Sequence, residues 1–264
     1  MPRRLVVEII NVGNELLDGR TVNTNLHWLC GELTQLGYVV SRATITRDDV
    51  FDISKAVKEA LRRRPRWIII SGGLGPTHDD KTLQAVAKAL GKSLKLYGEV
   101  VERMKKRYQE LATLGVIKDP TLTKERLKMA KLPEGSKPLT NRVGTAPGVL
   151  IERRRTKIAC LPGVPKEMMD IFGNELRPLL EKEAGDRGFL IKSIVVEGVV
   201  ESVMAPVLVE TMKKFPQIYV KSNPKTVEKG SKVEVDFIGE KNHESLLKDA
   251  MAYFEKRLSE IRNR

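Results

Sequence analysis

The alternation of continuous apolar segments with amphipathic segments in the first 90 residues constrains the fold more than any other feature. Leu5–Val12, Tyr38–Ile45 and Trp67–Ile70 are apolar and rich in β-branched residues, which predicts three strands. Gly13-Asn14-Glu15 is predicted to form a loop after the first strand. Thr24–Leu36 and the segment after Asp48-Asp49 carry apolar residues at helical spacing. Strands without polar alternation are buried on both faces. The pattern therefore predicts an α/β domain with a parallel sheet in three layers, helices covering both faces.

The charge of the chain is strongly positive and unevenly distributed. The net charge is +13 over 264 residues, and residues 1–175 hold 31 Lys and Arg against 20 Asp and Glu. Such a field attracts anions, including nucleotides and nucleic acids. A charged face exposed to solvent in a heat-adapted protein is the alternative interpretation. Because only 5% of the residues are aromatic, we do not expect a base-stacking nucleic-acid surface.

The sequence indicates a cytoplasmic protein without a membrane segment. No apolar run approaches the roughly 20 residues that cross a bilayer. The first ten residues, MPRRLVVEII, start like a signal peptide, but Glu8 interrupts the apolar run and no small-residue cleavage site follows. Cys30 and Cys160 form no C-x-x-C pair, so we expect two buried thiols in a reducing compartment.

The order of predicted secondary-structure elements changes after about Leu180. Residues 97–131 have a charged helical pattern, and a hairpin is predicted near Val149–Ile151 and Lys157–Leu161. The remainder predicts a β-α-β-β-α order, which is typical of a small α+β domain. We therefore predict domains at residues 1–175 and 185–264. The elements of the second are Ile191–Val196, Val203–Lys213, Ile218–Lys221, Val233–Ile238 and Leu246–Ile261, with a loop at Pro224–Gly230.

The segment IIISGGLGPTHDD, residues 68–80, carries the clearest chemistry. Glycines at 72, 73 and 75 let backbone N–H groups approach an anion closely. Asp79 and Asp80 would repel a phosphate unless a divalent cation lay between them, and Mg²⁺ uses carboxylates together with phosphate oxygens in this way. The alternative is that Thr77, Asp79 or Asp80 caps the next helix. The loop is neither a Walker A loop nor a dinucleotide fingerprint.

This loop resembles the signature of the molybdopterin-binding-like domain of the CinA family, which is similar to the MogA/MoaB/MoeA group. The similarity extends over about the first 170 residues, because four more segments follow the family's order. They are Gly13-Asn14-Glu15-Leu16-Leu17, Asn23-Thr24-Asn25, Asn141 with Gly144–Gly148, and Leu161–Pro165 with Glu167-Met168. The resemblance implies a MogA-like fold.

The small second domain resembles the KH-like module that follows this domain in CinA proteins. It lacks a Gly-x-x-Gly loop, since Lys229-Gly230-Ser231-Lys232 has one glycine, so we do not expect RNA binding. CinA proteins often carry a further deamidase domain, and this sequence is expected to lack that activity. The relatives imply a homo-oligomer.

The resemblance implies metal-dependent hydrolysis of the diphosphate in ADP-ribose or FAD, with Mg²⁺, Mn²⁺ or Co²⁺ and K⁺ as candidate cofactors. A molybdopterin or pterin-phosphate binding protein is the second hypothesis, and a nucleic-acid adaptor the third. For hydrolysis we assign Asp79 and Asp80 to the metal, and Asp80 with Glu15 to catalysis, although Glu15 could be a solvated loop acid. Candidate substrate-binding residues are Gly72, Gly73, Gly75, Thr77, Asn141, Thr145 and Lys166.

Overall fold

The computed structural model describes residues 5–226 and 231–262, which form two compact units. The first unit extends to Glu183, except that Thr34–Gly37 group with the second unit, which begins at Ala184. The nine residues between the predicted ranges, 176–184, thus belong to the first unit as far as Glu183. Within these ranges, each helix is too short or too polar to span a lipid bilayer.

The first unit is built on a six-stranded sheet with the order β2-β1-β3-β8-β7-β6. Strands β2, β1, β3 and β8 are parallel, whereas β7 runs antiparallel to both β8 and β6. The predicted parallel sheet and the predicted hairpin are both confirmed. β4 and β5 form a separate antiparallel pair. The strands are β1 Leu5–Val12, β2 Tyr38–Thr46, β3 Trp67–Ser71, β4 Leu94–Leu96, β5 Lys131–Pro133, β6 Lys137–Leu139, β7 Gly148–Arg153 and β8 Thr156–Leu161.

Helices cover this sheet, and their ends follow from local sequence. Asp49 caps one helix, because its side chain accepts from the N–H groups of Phe51 and Asp52. The helix closes at Arg64, in the left-handed conformation, just before Pro65. The helices are α1 Asn14–Leu17, α2 Thr24–Gln35, α3 Val50–Arg63, α4 Thr82–Leu90, α5 Gly98–Thr113, α6 Lys124–Lys128, α7 Pro165–Ile171 and α8 Arg177–Ala184, with a π-helical segment Phe172–Leu176 between the last two.

Two local predictions in this unit are wrong. Residues 13–15 were expected to form a loop, but Asn14 begins the short helix α1. Residues 97–131 were expected to be helical throughout, but only α5 and α6 are. Gly115 adopts a positive φ of 71° directly after α5, and Pro120 follows, so the chain cannot continue as a helix there.

A charged contact joins the sheet to α3. Glu8 points from β1 with only 3% of its surface exposed. Its two carboxylate oxygens accept from Nε and Nη2 of Arg63, each at 2.7 Å. This bidentate geometry compensates the buried charge and fixes α3 against the sheet.

The second unit has the predicted β-α-β-β-α order. β9, β10 and β11 form an antiparallel sheet with the order β10-β11-β9, and its core includes Phe237 packed edge-on against Phe254. The predicted loop Pro224–Gly230 is wrong at its first three residues, because β10 continues to Thr226; residues 227–230 lie outside the described ranges. The elements are β9 Phe189–Glu197, α9 Glu201–Lys214, β10 Tyr219–Thr226, β11 Ser231–Glu240 and α10 Glu244–Arg262.

Candidate functional site

The site is defined by the point at which the strand order reverses. From β1 the chain crosses to β2 on one side, and then to β3 on the other. Asn11 and Ser71 are in register at the carboxyl ends of β1 and β3, so the loops that follow both strands emerge together. Open α/β sheets bind ligands in the crevice at such a switch point.

Gly72 is required by packing at this edge. Its φ is 111°, and a Cβ atom would lie 2.2 Å from the carbonyl oxygen of Val12. Its N–H donates to the carbonyl of Leu161 at 3.0 Å, which ties the end of β3 to the end of β8. The predicted role of Gly72 as a phosphate donor therefore does not fit, because this N–H already has a partner.

The other two glycines give room to polar side chains. A Cβ atom on Gly73, whose φ is 68°, would lie 2.4 Å from Oγ1 of Thr82. That hydroxyl donates to the carbonyl of Gly72 at 2.7 Å. A Cβ atom on Gly75 would lie 2.7 Å from Oδ2 of Asp80. The glycines thus let the loop fold closely around Thr82 and Asp80.

Thr77 gathers both carboxylates of the loop. Its N–H donates to Oδ2 of Asp80 at 2.8 Å, and its hydroxyl lies 2.5 Å from the same oxygen. The hydroxyl also contacts Oδ1 of Asp79. Because one hydroxyl reaches both acids, their two oxygens are at most two hydrogen-bond lengths apart. Thr77, predicted to hold phosphate, instead holds the acids in this structure.

Lys128 closes the loop from the other side. Its Nζ donates to the carbonyl oxygens of Asp80, at 2.8 Å, and of Thr77. We did not single out this lysine from the sequence, because it lies 48 residues beyond Asp80 in the chain. Its positive charge lies beside the two acids.

The two aspartates are not helix caps. α4 begins at Thr82, and its N-cap residue is Lys81, with no side-chain cap hydrogen bond. The Thr77 hydroxyl is the main cause that lowers the pKa of Asp79, with smaller contributions from its backbone N–H and from His78 and Lys128. The capping alternative is therefore wrong, and Asp79 is kept ionised and exposed next to Asp80.

A metal would be held by this pair only in part. In the described part of the chain, no group of three or more His, Cys, Asp or Glu side chains is placed to hold a metal ion. Asp79 and Asp80 fit a hard cation that takes one or two carboxylates and completes its shell with phosphate oxygens and water. They do not fit an all-protein metal cage.

Glu15 lies at the same edge, at the end of β1. Its carboxylate is folded back over Gly13, where a Cβ atom would lie 2.4 Å from Oε1. Asp48, which follows β2, accepts from the N–H of Asn14 at 2.7 Å. Glu15 is half-buried in α1, so the loop-acid alternative does not describe it. Asp48 was not among the predicted site residues, although its place after a strand was a usable signal.

Asn141 is fully engaged within its own turn. Its Nδ2 donates to the carbonyl of Ala146 at 2.8 Å and to Oε2 of Glu167 at 2.6 Å. Its Oδ1 accepts from the N–H groups of Val143 and Gly144, at 3.1 and 2.7 Å. An amide offers two donors and two acceptor positions, so a nucleoside contact by Asn141 does not fit this geometry.

Glu167, Thr145 and Lys166 differ in their exposure. Burial raises the pKa of Glu167, although Asn141 and Arg107 oppose the shift. Thr145 is half-buried and accepts from the Tyr108 hydroxyl at 3.3 Å. Lys166 is exposed on the first turn of α7.

A buried polar cluster beneath the glycine loops was missed from the sequence. Nδ2 of Asn25 donates to Oγ of Ser71 at 3.0 Å and to the carbonyl of Gly163 at 2.8 Å. Within the described ranges, Oδ1 of Asn25 and Oδ1 of Asn11 are buried without a hydrogen-bond partner. Buried acceptors of this kind are usually satisfied by water or a ligand. The Asn23-Thr24-Asn25 segment is the part of the sequence from which this cluster could have been predicted.

Comparison with known proteins places the first unit in a family. A family model described as a probable molybdopterin binding domain matches residues 8–182. A protein from Pyrococcus horikoshii is 47% identical over 84% of this chain and 85% of its own length. A protein from Sulfurisphaera tokodaii is 41% identical over 96% of this chain and 94% of its own.

A solved structure extends this comparison. The crystal structure of the protein CinA, of unknown function, from Thermoplasma acidophilum is 39% identical. It covers 69% of this chain and 98% of its own, with a TM-score of 0.60.

Proposed function

The chain is a CinA-like member of the family of probable molybdopterin binding domains, and from that premise we propose that it binds a phosphorylated nucleotide at the β1–β3 edge and hydrolyses its diphosphate with a divalent metal. ADP-ribose is the first candidate substrate and FAD the second. The products from ADP-ribose are AMP and ribose 5-phosphate.

The observation that supports this proposal is the pairing of Asp79 and Asp80 on one hydroxyl. Two carboxylates held side by side repel one another and any phosphate. The Thr77 hydroxyl nevertheless contacts both carboxylates and keeps them close together. Lys128 holds the backbone of the loop through the carbonyl of Asp80. A divalent cation bound by both the carboxylates and the diphosphate would offset this repulsion.

The residues of the site have separable tasks. Asp79 and Asp80 would hold the metal, which when bound lowers the pKa of an attacking water and neutralises the diphosphate. Glu15, half-buried at the end of β1, is assigned as the general base that takes a proton from this water. Gly73 and Gly75 shape the loop so that its backbone comes close to the phosphate groups.

Pterin-phosphate binding without turnover is the second candidate. The description of the matching family favours it, and so does the pair of unpartnered acceptors on Asn11 and Asn25. Acceptor oxygens would pair with the N–H groups of a pterin ring. In this case Asp79 and Asp80 organise the loop only.

Hydrolysis separates the two candidates. Purified full-length protein is incubated with ADP-ribose or FAD and with Mg²⁺, Mn²⁺ or Co²⁺, with and without K⁺, and AMP is measured by chromatography. We expect AMP release that requires a divalent metal. The variant Asp80→Asn keeps an oxygen acceptor for the Thr77 N–H but removes the charge, and it is expected to lower the rate at least a hundredfold.

Asp119→Asn is the matched control. Asp119 is an exposed acid of the same unit whose Oδ1 likewise accepts from a backbone N–H, that of Thr121 at 2.8 Å. It should leave the rate unchanged. If folded wild-type protein releases no AMP with any pair, the hydrolase proposal is wrong for these substrates.

A further inference from the structure

A basic pocket lies in the first unit between α5 and the turn at residues 140–147. Its volume is about 280 Å³. Four cationic side chains line it against a single acid, Glu110. The cations are Arg103, Lys106, Arg107 and Arg142.

The spacing of α5 explains this composition. Val100 and Met104 are buried against the core, and Arg103 and Arg107 follow at helical intervals beside them. The apolar pair forms part of the pocket lining, while the guanidinium groups reach over it. The four basic residues Arg103, Lys105, Lys106 and Arg107 of α5 are thus divided between this pocket and the helix exterior.

Each arginine on α5 has one buried nitrogen that makes no hydrogen bond within the described residues. Nη1 of Arg103 donates to Oγ1 of Thr140 at 3.0 Å. Its Nη2 lies 3.5 Å from a carboxylate oxygen of Glu99 but is buried without a hydrogen bond in the described part of the chain. Arg107 donates from Nη2 to the carbonyl of Val143 at 2.7 Å and from Nη1 to Glu110 at 3.0 Å. Its Nε is likewise buried without a partner among the described residues.

The remaining lining is suited to an oxyanion. Thr140 and Thr145 add hydroxyl groups to the lining. Arg142 forms a long ion pair with Glu175, in which the nitrogen and oxygen are 3.4 Å apart. Glu99 pairs with Arg103 and Glu175 with Arg142 from outside the lining, so the four cations meet three acids and an excess of positive charge remains for an anionic ligand. Planar guanidinium forks are well matched to phosphate oxygens.

The size of the pocket limits the ligand. Pockets for drug-sized molecules hold about 300–1,000 Å³, and this one lies just below that range. We propose that it binds a phosphomonoester dianion, either free phosphate or the phosphate of a nucleoside monophosphate. Thr145, a candidate substrate-binding residue of the proposed hydrolysis, lies in this lining, but phosphate binding here does not rest on that hydrolysis and can be measured whether or not it occurs.

The test is a calorimetric titration of full-length protein with inorganic phosphate, AMP and adenosine at pH 8 and constant ionic strength. We expect saturable binding of phosphate or AMP, and none of adenosine. The double variant Arg103→Met/Arg107→Met should weaken binding at least tenfold. AMP at least tenfold tighter than phosphate would identify a nucleotide ligand, and equal affinities a free phosphate.

Lys105→Met is the matched control for charge. Lys105 is on the same helix but is paired with Glu102 at 2.7 Å and does not line the pocket, so its loss should change affinity less than twofold. Thermal unfolding checks that each variant is folded. If the double variant does not fold, the single variant Arg107→Lys replaces it, and its binding affinity is expected to be at least threefold weaker. Absence of saturable binding, an equal loss in Lys105→Met, or no loss in the arginine variants would overturn the proposal.

Discussion

At the scale of single residues, Gly72 carries a constraint that no other amino acid meets. Gly72→Ala would force a Cβ atom onto the Val12 carbonyl at an unfavourable φ of 111°. We expect a loss of about 2 kcal/mol or more in the free energy of unfolding, measured by urea denaturation. The control is Gly31→Ala in α2, where a Cβ atom meets nothing within 4 Å. That change should stabilise by about 0.5–1 kcal/mol. Equal effects would contradict the packing argument.

Thr77 is the second decisive residue, because its hydroxyl lowers the pKa of Asp79. The pKa of Asp79 is lower in the folded state than in the unfolded state. Its contribution to the stability of the fold is therefore fully present above the unfolded-state pKa and is lost as the pH falls through the folded-state pKa. Thr77→Val should raise the pKa of Asp79, measured by NMR titration of its carboxyl carbon. Thr113→Val should not, because the Thr113 hydroxyl donates to the carbonyl of Gln109 within α5. An unchanged titration in Thr77→Val would refute the assigned cause.

At the scale of elements, one ion pair adds to the hydrophobic packing between β1 and α3. Arg63→Met would leave the carboxylate of Glu8 buried without compensation. Removing one partner of a fully buried pair costs about 3–5 kcal/mol. Because the Arg63 side chain is 37% exposed, we expect about 2–4 kcal/mol in urea denaturation. The neighbouring Arg62→Met should stay within about 0.5 kcal/mol. A similar cost for both would show that the pair adds nothing specific.

Elements with a strong hydrophobic period were predictable, and short ones were not. β1 begins and ends where its apolar run does, and α3 begins after its capping Asp49. The three-residue strand β6 has no period to detect, and α1 is held by a long-range bond between Asn14 and Asp48. The same limit applied to the site. The position of the site at the edge of the sheet could be predicted from the order of the strands. The hydrogen bonds of Asn141 and Lys128 could not, because the sequence pattern does not show the contacts from which they arise.

At the scale of the whole molecule, each unit has its own buried core, and every predicted site residue belongs to the first. The division between the units could be predicted from the change in the order of predicted elements near Leu180, because a β-α-β-β-α run does not continue a parallel sheet that is covered by helices on both faces. The charge excess of the first unit was also visible, but its division between surface and pocket required the fold of α5.

We propose that the β1–β3 edge cleaves a diphosphate, and ³¹P NMR of ADP-ribose with the full-length protein and Mg²⁺ measures this cleavage. We expect the diphosphate resonances to be replaced by two phosphomonoester resonances with wild-type protein and to persist with Asp80→Asn. Diphosphate resonances that persist with folded wild-type protein, or equal conversion by both proteins, would contradict it.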